Sequence, residues 1–241
     1  MTFDLVTERR LDEIVDRHGL DPCARDRLGR LLAFLAEDCR APTTVRVPAE
    51  AIDVHVADSL SGLEVPALAG ASTVADLGSG AGFPGLALAV ARPEAEVALV
   101  ESSAQKCEYL VRAAAASAAA RVVVVRSRAE AWEGGLGRAD VVTARALAPL
   151  PVLVEYAAPL LRVGGTLVAW KGRVEEGERT AAARAADQLG LGAEASLAVE
   201  PYPGSRSRRL CVFTKAAATP PGFPRRPGMA RKRPLGAPAG R

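Results

Sequence analysis

The stretch VADLGSGAGFPGLALAV, residues 74–90, decides the fold of this 241-residue chain. A short apolar run leads into Asp76, glycines follow at 78, 80, 82 and 85, and an apolar stripe closes the segment. That order reads as strand, tight loop and helix, the unit of parallel α/β sheets. Working outward, strands are expected at 74–77, 96–102, 121–127, 139–145 and 165–172. Helices are expected near 84–92, 103–119, 128–132, 149–161 and 175–190. The strands are almost unbroken Val, Leu and Ala, the composition of a sheet covered by helices on both faces. GAEASLAVEPYP and SRRLCVFTK, separated by Gly204, read as a closing antiparallel pair. The expected fold is α/β, a Rossmann-like doubly wound seven-stranded sheet.

Upstream, the rhythm is helical. Leu5, Ile14 and Val15 sit among charges at helical spacing before a stop at Gly19, and Leu28, Leu31, Leu32 and Leu35 form a second stripe. Pro48 suits the first turn of a third helix. Residues 1–65 therefore read as an N-terminal helical cap, 66–215 as the sheet domain, and 216–241 as an extended tail rich in Pro, Gly and Arg.

Composition narrows the function. No apolar run of 18 or more residues and no apolar signal core is present, so a cytoplasmic protein without a membrane partner is expected. Cys23, Cys39, Cys107 and Cys211 are widely spaced and only two histidines occur, which favours reduced, mostly buried thiols over disulfides or a metal site. After Glu200 the chain has ten of its 31 basic residues and no acidic one, an asymmetry that suits a polyanion. A tail whose charge serves only solubility is the other reading.

In such sheets ligands bind beyond the carboxyl ends of the strands, beside the first one. Here that position is the loop of Asp76, Gly78, Ser79, Gly80 and Gly82. Glu101 ends the second strand, where a carboxylate can grip both ribose hydroxyls of a nucleoside; a helix-start carboxylate is the alternative. The spacing D-x-G-x-G-x-G differs from the G-x-G-x-x-G of dinucleotide sites. It resembles the class I S-adenosylmethionine-dependent methyltransferases, which implies S-adenosylmethionine as cofactor. Asp76 would then serve the cofactor's ammonium group or cap the loop's own amides, and the two roles are compatible.

The fourth strand ends in VVTARALAPL, with Arg145 and no cysteine, carboxylate or Asn-Pro-Pro loop. That does not suit proton abstraction from an amine or attack by a cysteine, and permits an acceptor with a free lone pair, such as guanine N7. The segments at 74–110, RSRAEAW, VVTARALAPL and LVAWKG, with TTVRVPAEAIDVHVADSL upstream and GFPRRPGMARKRPL downstream, are similar to the glucose-inhibited division protein B family over roughly residues 39–235. Its members are bacterial methyltransferases acting on a guanine N7 of 16S ribosomal RNA.

The resemblance implies that Gly78 and Phe83 line the cofactor pocket, that Glu101 takes the ribose, and that Ala129 and Glu130 sit beside the adenine. Arg145 would reach the methionine end or the guanine. Read without the family, Phe83 is equally a core aromatic and Glu130 a solvated helix charge. His55 and Asp58 share one helix face, either as a surface pair or, as the family implies, over the active-site mouth. Lys171 stands at the ligand edge as an RNA contact or a solvated lysine. Many relatives carry aromatic-Asn-Leu-Thr before the TVR segment; Ala41 and Pro42 here replace the amide and the leucine.

The expected partner is 16S ribosomal RNA or the small ribosomal subunit, with no DNA and a monomeric chain. The few aromatics in the basic segment, Tyr202, Phe213 and Phe223, point to backbone and shape recognition over base stacking. A small-molecule methyltransferase and a noncatalytic RNA-binding assembly factor are the alternatives. The glycine spacing disfavours an NAD dehydrogenase.

Overall fold

The computed structural model describes residues 3–236. Asp4 caps α1 (Leu5–Arg17) by accepting from the Thr7 amide, and Asp21 caps α2 (Pro22–Glu37), which opens on proline. Pro48 opens α3 (Pro48–Ala51), which continues through a π-helical turn (Ile52–Ala57) into α4 (Asp58–Leu60). Such widened turns are frequent at functional sites; this one carries His55 and leads directly into Asp58. A short α5 (Pro66–Ala69) then leads into the sheet.

The alternation expected from the apolar pattern follows: β1 (Thr73–Leu77), α6 (Gly85–Ala91), β2 (Glu96–Glu101), α7 (Ala104–Ala116), β3 (Val122–Arg126), β4 (Ala139–Arg145), α8 (Leu150–Ala157), β5 (Leu161–Lys171) and α9 (Glu176–Leu189). The last strands are β6 (Ala195–Ala198) and β7 (Arg209–Thr214), and a single helical turn, α10 (Met229–Lys232), follows. The seven strands order as β3-β2-β1-β4-β5-β7-β6, parallel except for β7, which is antiparallel to both neighbours. Order reverses between β1 and β4, so the crevice at their carboxyl ends is the ligand position of the fold.

Each sheet face has its own core. Val74, Val97, Leu99 and Val168 pack with α6, α7 and the N-terminal helices. Ala75, Leu77, Val142 and Leu167 pack with α8, α9 and Ala230. Burying about 25 cal/mol per Å2 of apolar surface makes these two layers the main source of stability.

Three boundaries differ from expectation. β5 begins at Leu161, because Pro159 ends α8 and Gly165 lets the strand bulge. A Cβ on Gly165 would stand 2.8 Å from the Ala139 carbonyl. β6 is shorter than its apolar pattern suggested. Between β3 and β4 lie only the single turns Ala129–Ala131 and Glu133–Gly135. Among the described residues no helix covers that end of the sheet, so Val123 is 63% exposed and a groove of about 570 Å3 opens over the amino-terminal halves of β1 and β2. It lies at the edge opposite the glycine loop.

The tail is not extended over its described part. Arg225 makes two bonds, of 2.6 and 2.5 Å, to the Glu155 carboxylate of α8, and Ala230 is buried. Lys215, buried just before it, donates to the Leu189 carbonyl and to Thr219. Residues 237–241 lie outside the described residues. All four cysteines are free, but Cys23 and Cys39 are exposed, against the expectation of mostly buried thiols. No described helix is long and apolar enough to cross a membrane. Among the described residues, no cluster of three or more metal-ligating side chains occurs.

Candidate active site at the carboxyl edge of the sheet

Gly78, Gly80 and Gly82 have φ of +68°, +53° and +92°, a region that strains any residue with a Cβ. The Gly78 amide donates to the Val100 carbonyl over 2.8 Å, joining the loop to β2. The space over Gly80 is open: a Cβ there would meet only the Gly78 carbonyl, at 3.6 Å. A Cβ on Gly78 would stand 2.6 Å from Leu147 Cδ1.

Asp76 lies beneath this loop, fully buried. Its Oδ1 accepts from Thr143 Oγ1 (2.9 Å) and its Oδ2 from the Gly85 amide (3.3 Å), while Ser79 Oγ donates to the Asp76 carbonyl (2.9 Å). Burial pushes the Asp76 carboxyl up despite these bonds. With both oxygens engaged inside the chain, Asp76 and Ser79 hold the loop's shape. Glu101 is 7% exposed; its Oε2 accepts from the Gly80 amide at 3.3 Å and its Oε1 from the Ser103 amide at 2.9 Å. One carboxylate therefore ties the glycine loop to the start of α7.

A second cluster surrounds Arg145 at the end of β4. Its Nη1 donates to Asp58 Oδ2 (2.8 Å) and to the Val54 carbonyl (3.0 Å), and its Nη2 lies 3.3 Å from His55 Nδ1. His55 Nε2 lies 3.1 Å from the Val45 carbonyl and 3.2 Å from Thr43 Oγ1. Nδ1 facing a donor and Nε2 facing a carbonyl fix the neutral tautomer with its proton on Nε2. Burial, and then the Arg145 charge, push this imidazole down to about 4. Phe83 stacks on His55 with centroids 4.8 Å apart and planes 12° apart, and the Arg145 guanidinium carbon stands 5.9 Å from the Phe83 ring centre. Phe83 is thus a buried platform for His55. Asp58 itself is 2% exposed; its Oδ1 has no hydrogen-bond partner and lies 3.4 Å from Arg208 Nε.

Lys171 is not free. Its ammonium bonds Glu178 Oε1 at 2.7 Å, and the same oxygen accepts from the Leu150 amide at 2.7 Å, capping α8 from a distance. Burial works against the Glu178 carboxylate, but Lys171 and the Leu150 amide hold it below its usual range. Ala129 and Glu130 form the turn after β3, and Glu130 Oε1 accepts from the Gly228 amide at 2.9 Å. Glu130 is therefore not a merely solvated charge.

Sequence reading missed several of these partners. Thr143 faces Asp76 only because β1 and β4 pair in that register. Trp170 Nε1 donates to the Asp58 carbonyl at 2.7 Å, while Thr43, next to the substituted Ala41 and Pro42, supplies the polar contact to His55. Glu178 had no motif to mark it, and the GFPRRPGMARKRPL segment gave no sign that the Gly228 amide meets Glu130.

A seven-stranded sheet of this order, with positive-φ glycines after β1 and a carboxylate ending β2, defines a class I S-adenosylmethionine-dependent methyltransferase. Solved structures share that fold. A predicted O-methyltransferase from Agrobacterium tumefaciens has a TM-score of 0.52 and 26% identity, covering 67% of this chain and 81% of that one. The S-adenosylmethionine-dependent methyltransferase SibL has a TM-score of 0.56 at 15% identity, covering 88% and 74%. The chain belongs to the GidB family, described as rRNA small subunit methyltransferase G, whose model matches residues 37–199. Relatives named ribosomal RNA small subunit methyltransferase G include one from Rubrobacter xylanophilus, 41% identical over 79% of this chain and 75% of its own. Another, from Chloroflexus aggregans, is 40% identical over 95% and 98%.

Proposed function

We propose that this chain transfers a methyl group from S-adenosylmethionine to N7 of a guanine in bacterial 16S ribosomal RNA. The observation that carries the reading is the end of β4. Arg145 stands there bonded to Asp58 and beside a neutral His55 whose ring nitrogens face Arg145 and the Val45 carbonyl, and the strand end carries no cysteine nucleophile. Guanine N7 presents an in-plane lone pair, so its attack requires alignment and no prior deprotonation.

The residues present fit the cofactor. Open space over Gly80, the positive-φ loop and the Glu101 carboxylate suit an amino-acid nucleoside without a pyrophosphate. When bound, S-adenosylmethionine supplies an electrophilic methyl group on a sulfonium. Gly78, Gly80 and Gly82 admit it through their backbone, Glu101 takes the ribose, and Ala129 and Glu130 border the adenine. Asp76, Ser79 and Phe83 act one layer below, as supports of the loop and of His55. Arg145, held by Asp58 and His55, orients the base, while Lys171, paired with Glu178, acts on that edge only through the start of α8.

Exposed Arg226, Lys232 and Arg233 give the RNA backbone its phosphate contacts. The chain works in the cytoplasm as a monomer, without a DNA or membrane partner. Mapping 7-methylguanine in 16S RNA from cells with and without this protein tests the reading. A methylation pattern unchanged by its loss would refute it, as would label from the cofactor appearing only on small molecules.

A further inference from the structure

We propose that residues 219–235 form a strap that sets the width of the cofactor cleft, with Arg231 as its positioning residue. Two loops flank the glycine loop: the turn after β3, carrying Glu130, and the turn after β4, carrying Leu147. One short piece of the C-terminal segment holds both. The Gly228 amide donates to Glu130 Oε1 over 2.9 Å, and Arg231 Nη2 donates to the Leu147 carbonyl over 2.8 Å. Leu147 is the residue whose side chain lies against Gly78, within 2.6 Å of where a Cβ would be. The strap thus fixes, through a main-chain carbonyl, the side chain that borders the glycine loop.

Its own position is over-determined. The Arg225–Glu155 pair is bidentate, and the Glu155 side chain is 3% exposed. Ala230 is 2% exposed against the core of α8 and α9. Gly228 turns at φ +86°, which allows its amide to face Glu130 while the chain enters α10. Arg225 bonds the Arg233 carbonyl as well, closing the turn on itself. Composition left two readings of the basic segment, a polyanion partner or charge serving only solubility. Its Gly228 amide and Arg231 guanidinium are committed to the two loops, while Arg226, Lys232 and Arg233 stay exposed for phosphate.

Two tethered loops present a cleft that need not be ordered when the cofactor enters, so binding loses less conformational freedom. Removing one charge-assisted bond should weaken the cofactor about three- to tenfold. The proposal rests on the cofactor cleft described above but not on the identity of the methyl acceptor.

The test is calorimetric titration of the full chain with S-adenosylmethionine in the absence of RNA, paired with thermal melts. Arg231 is exposed, so Arg231→Ala should melt close to the parent while its Kd rises about three- to tenfold. Arg231→Lys, which keeps a donor, should recover most of that loss. Ala230→Arg, which cannot fit its buried position, should lift the strap and weaken the cofactor further. An unchanged cofactor Kd in a folded Arg231→Ala protein overturns the proposal, whatever Ala230→Arg does. So does a variant that loses RNA binding alone. A parent chain that binds the cofactor but leaves small-subunit RNA unmethylated would instead defeat the function proposed above, leaving the strap standing.

Discussion

Arg145 Nη1 donates to Asp58 Oδ2 over 2.8 Å, joining residues 87 positions apart across the mouth of the cleft. The Arg145 side chain is 16% exposed and that of Asp58 2%. A buried ion pair contributes little net stability, but removing one partner leaves the other charge without compensation. Asp58→Ala should therefore destabilise the chain by about 3 kcal/mol in urea unfolding and abolish methyl transfer. Asp58→Asn, which keeps an acceptor for Arg145, should lose less than half as much stability. Equal losses in both variants would mean that charge, and not the hydrogen bond, holds Arg145.

His55 gives the fold an acid sensitivity. Pushed down to about 4 in the fold, it lies below the ordinary imidazole value of 6.5, so between these limits the unfolded chain binds more protons. Its contribution is complete above pH 6.5 and is lost as pH falls toward 4, about 3 kcal/mol in all. His18, pushed down to about 4 by burial and then by Arg17, acts in the same window. Unfolding free energies of the parent should fall between pH 6.5 and 4.5, and His55→Gln should show a clearly shallower slope. Parallel slopes would place the effect elsewhere.

Gly85 is required for space. A Cβ on it would stand 2.8 Å from Asp76 Oδ2 and also run into Leu99, displacing the carboxylate that receives its amide. Overpacking of this kind costs about 1–3 kcal/mol, so Gly85→Ala should lower the melting temperature and weaken cofactor binding together. A normal melt with normal binding would show that α6 can shift without cost.

Glu101 separates cofactor binding from folding. Its carboxylate braces the Gly80 and Ser103 amides, both on partly exposed residues. Glu101→Ala should raise the cofactor Kd at least about tenfold, the loss of two good hydrogen bonds, with a smaller effect on the melt. Calorimetry that finds the same affinity in parent and variant would remove Glu101 from the ribose.

How much of this was legible beforehand follows from range. The alternation of β1 to β5 with helices was readable because runs of Val and Leu and the punctuating glycines are local signals. The positions of Gly78 and Glu101 beside one loop were readable for the same reason, since each sits at the end of a strand. The start of β5 was not, because a bulge at Gly165 depends on the backbone of the neighbouring strand.

By itself the sequence determined the doubly wound sheet, the glycine loop and the cofactor class, all written in short-range spacing. The tertiary structure alone decided that Asp76 is spent on Thr143 and Gly85, that Lys171 turns to Glu178, and that the basic tail doubles back onto α8. Each of those is a pairing of charged or polar groups distant in sequence. Burial compels such groups to find partners, but only strand register and helix packing determine which partners are within reach.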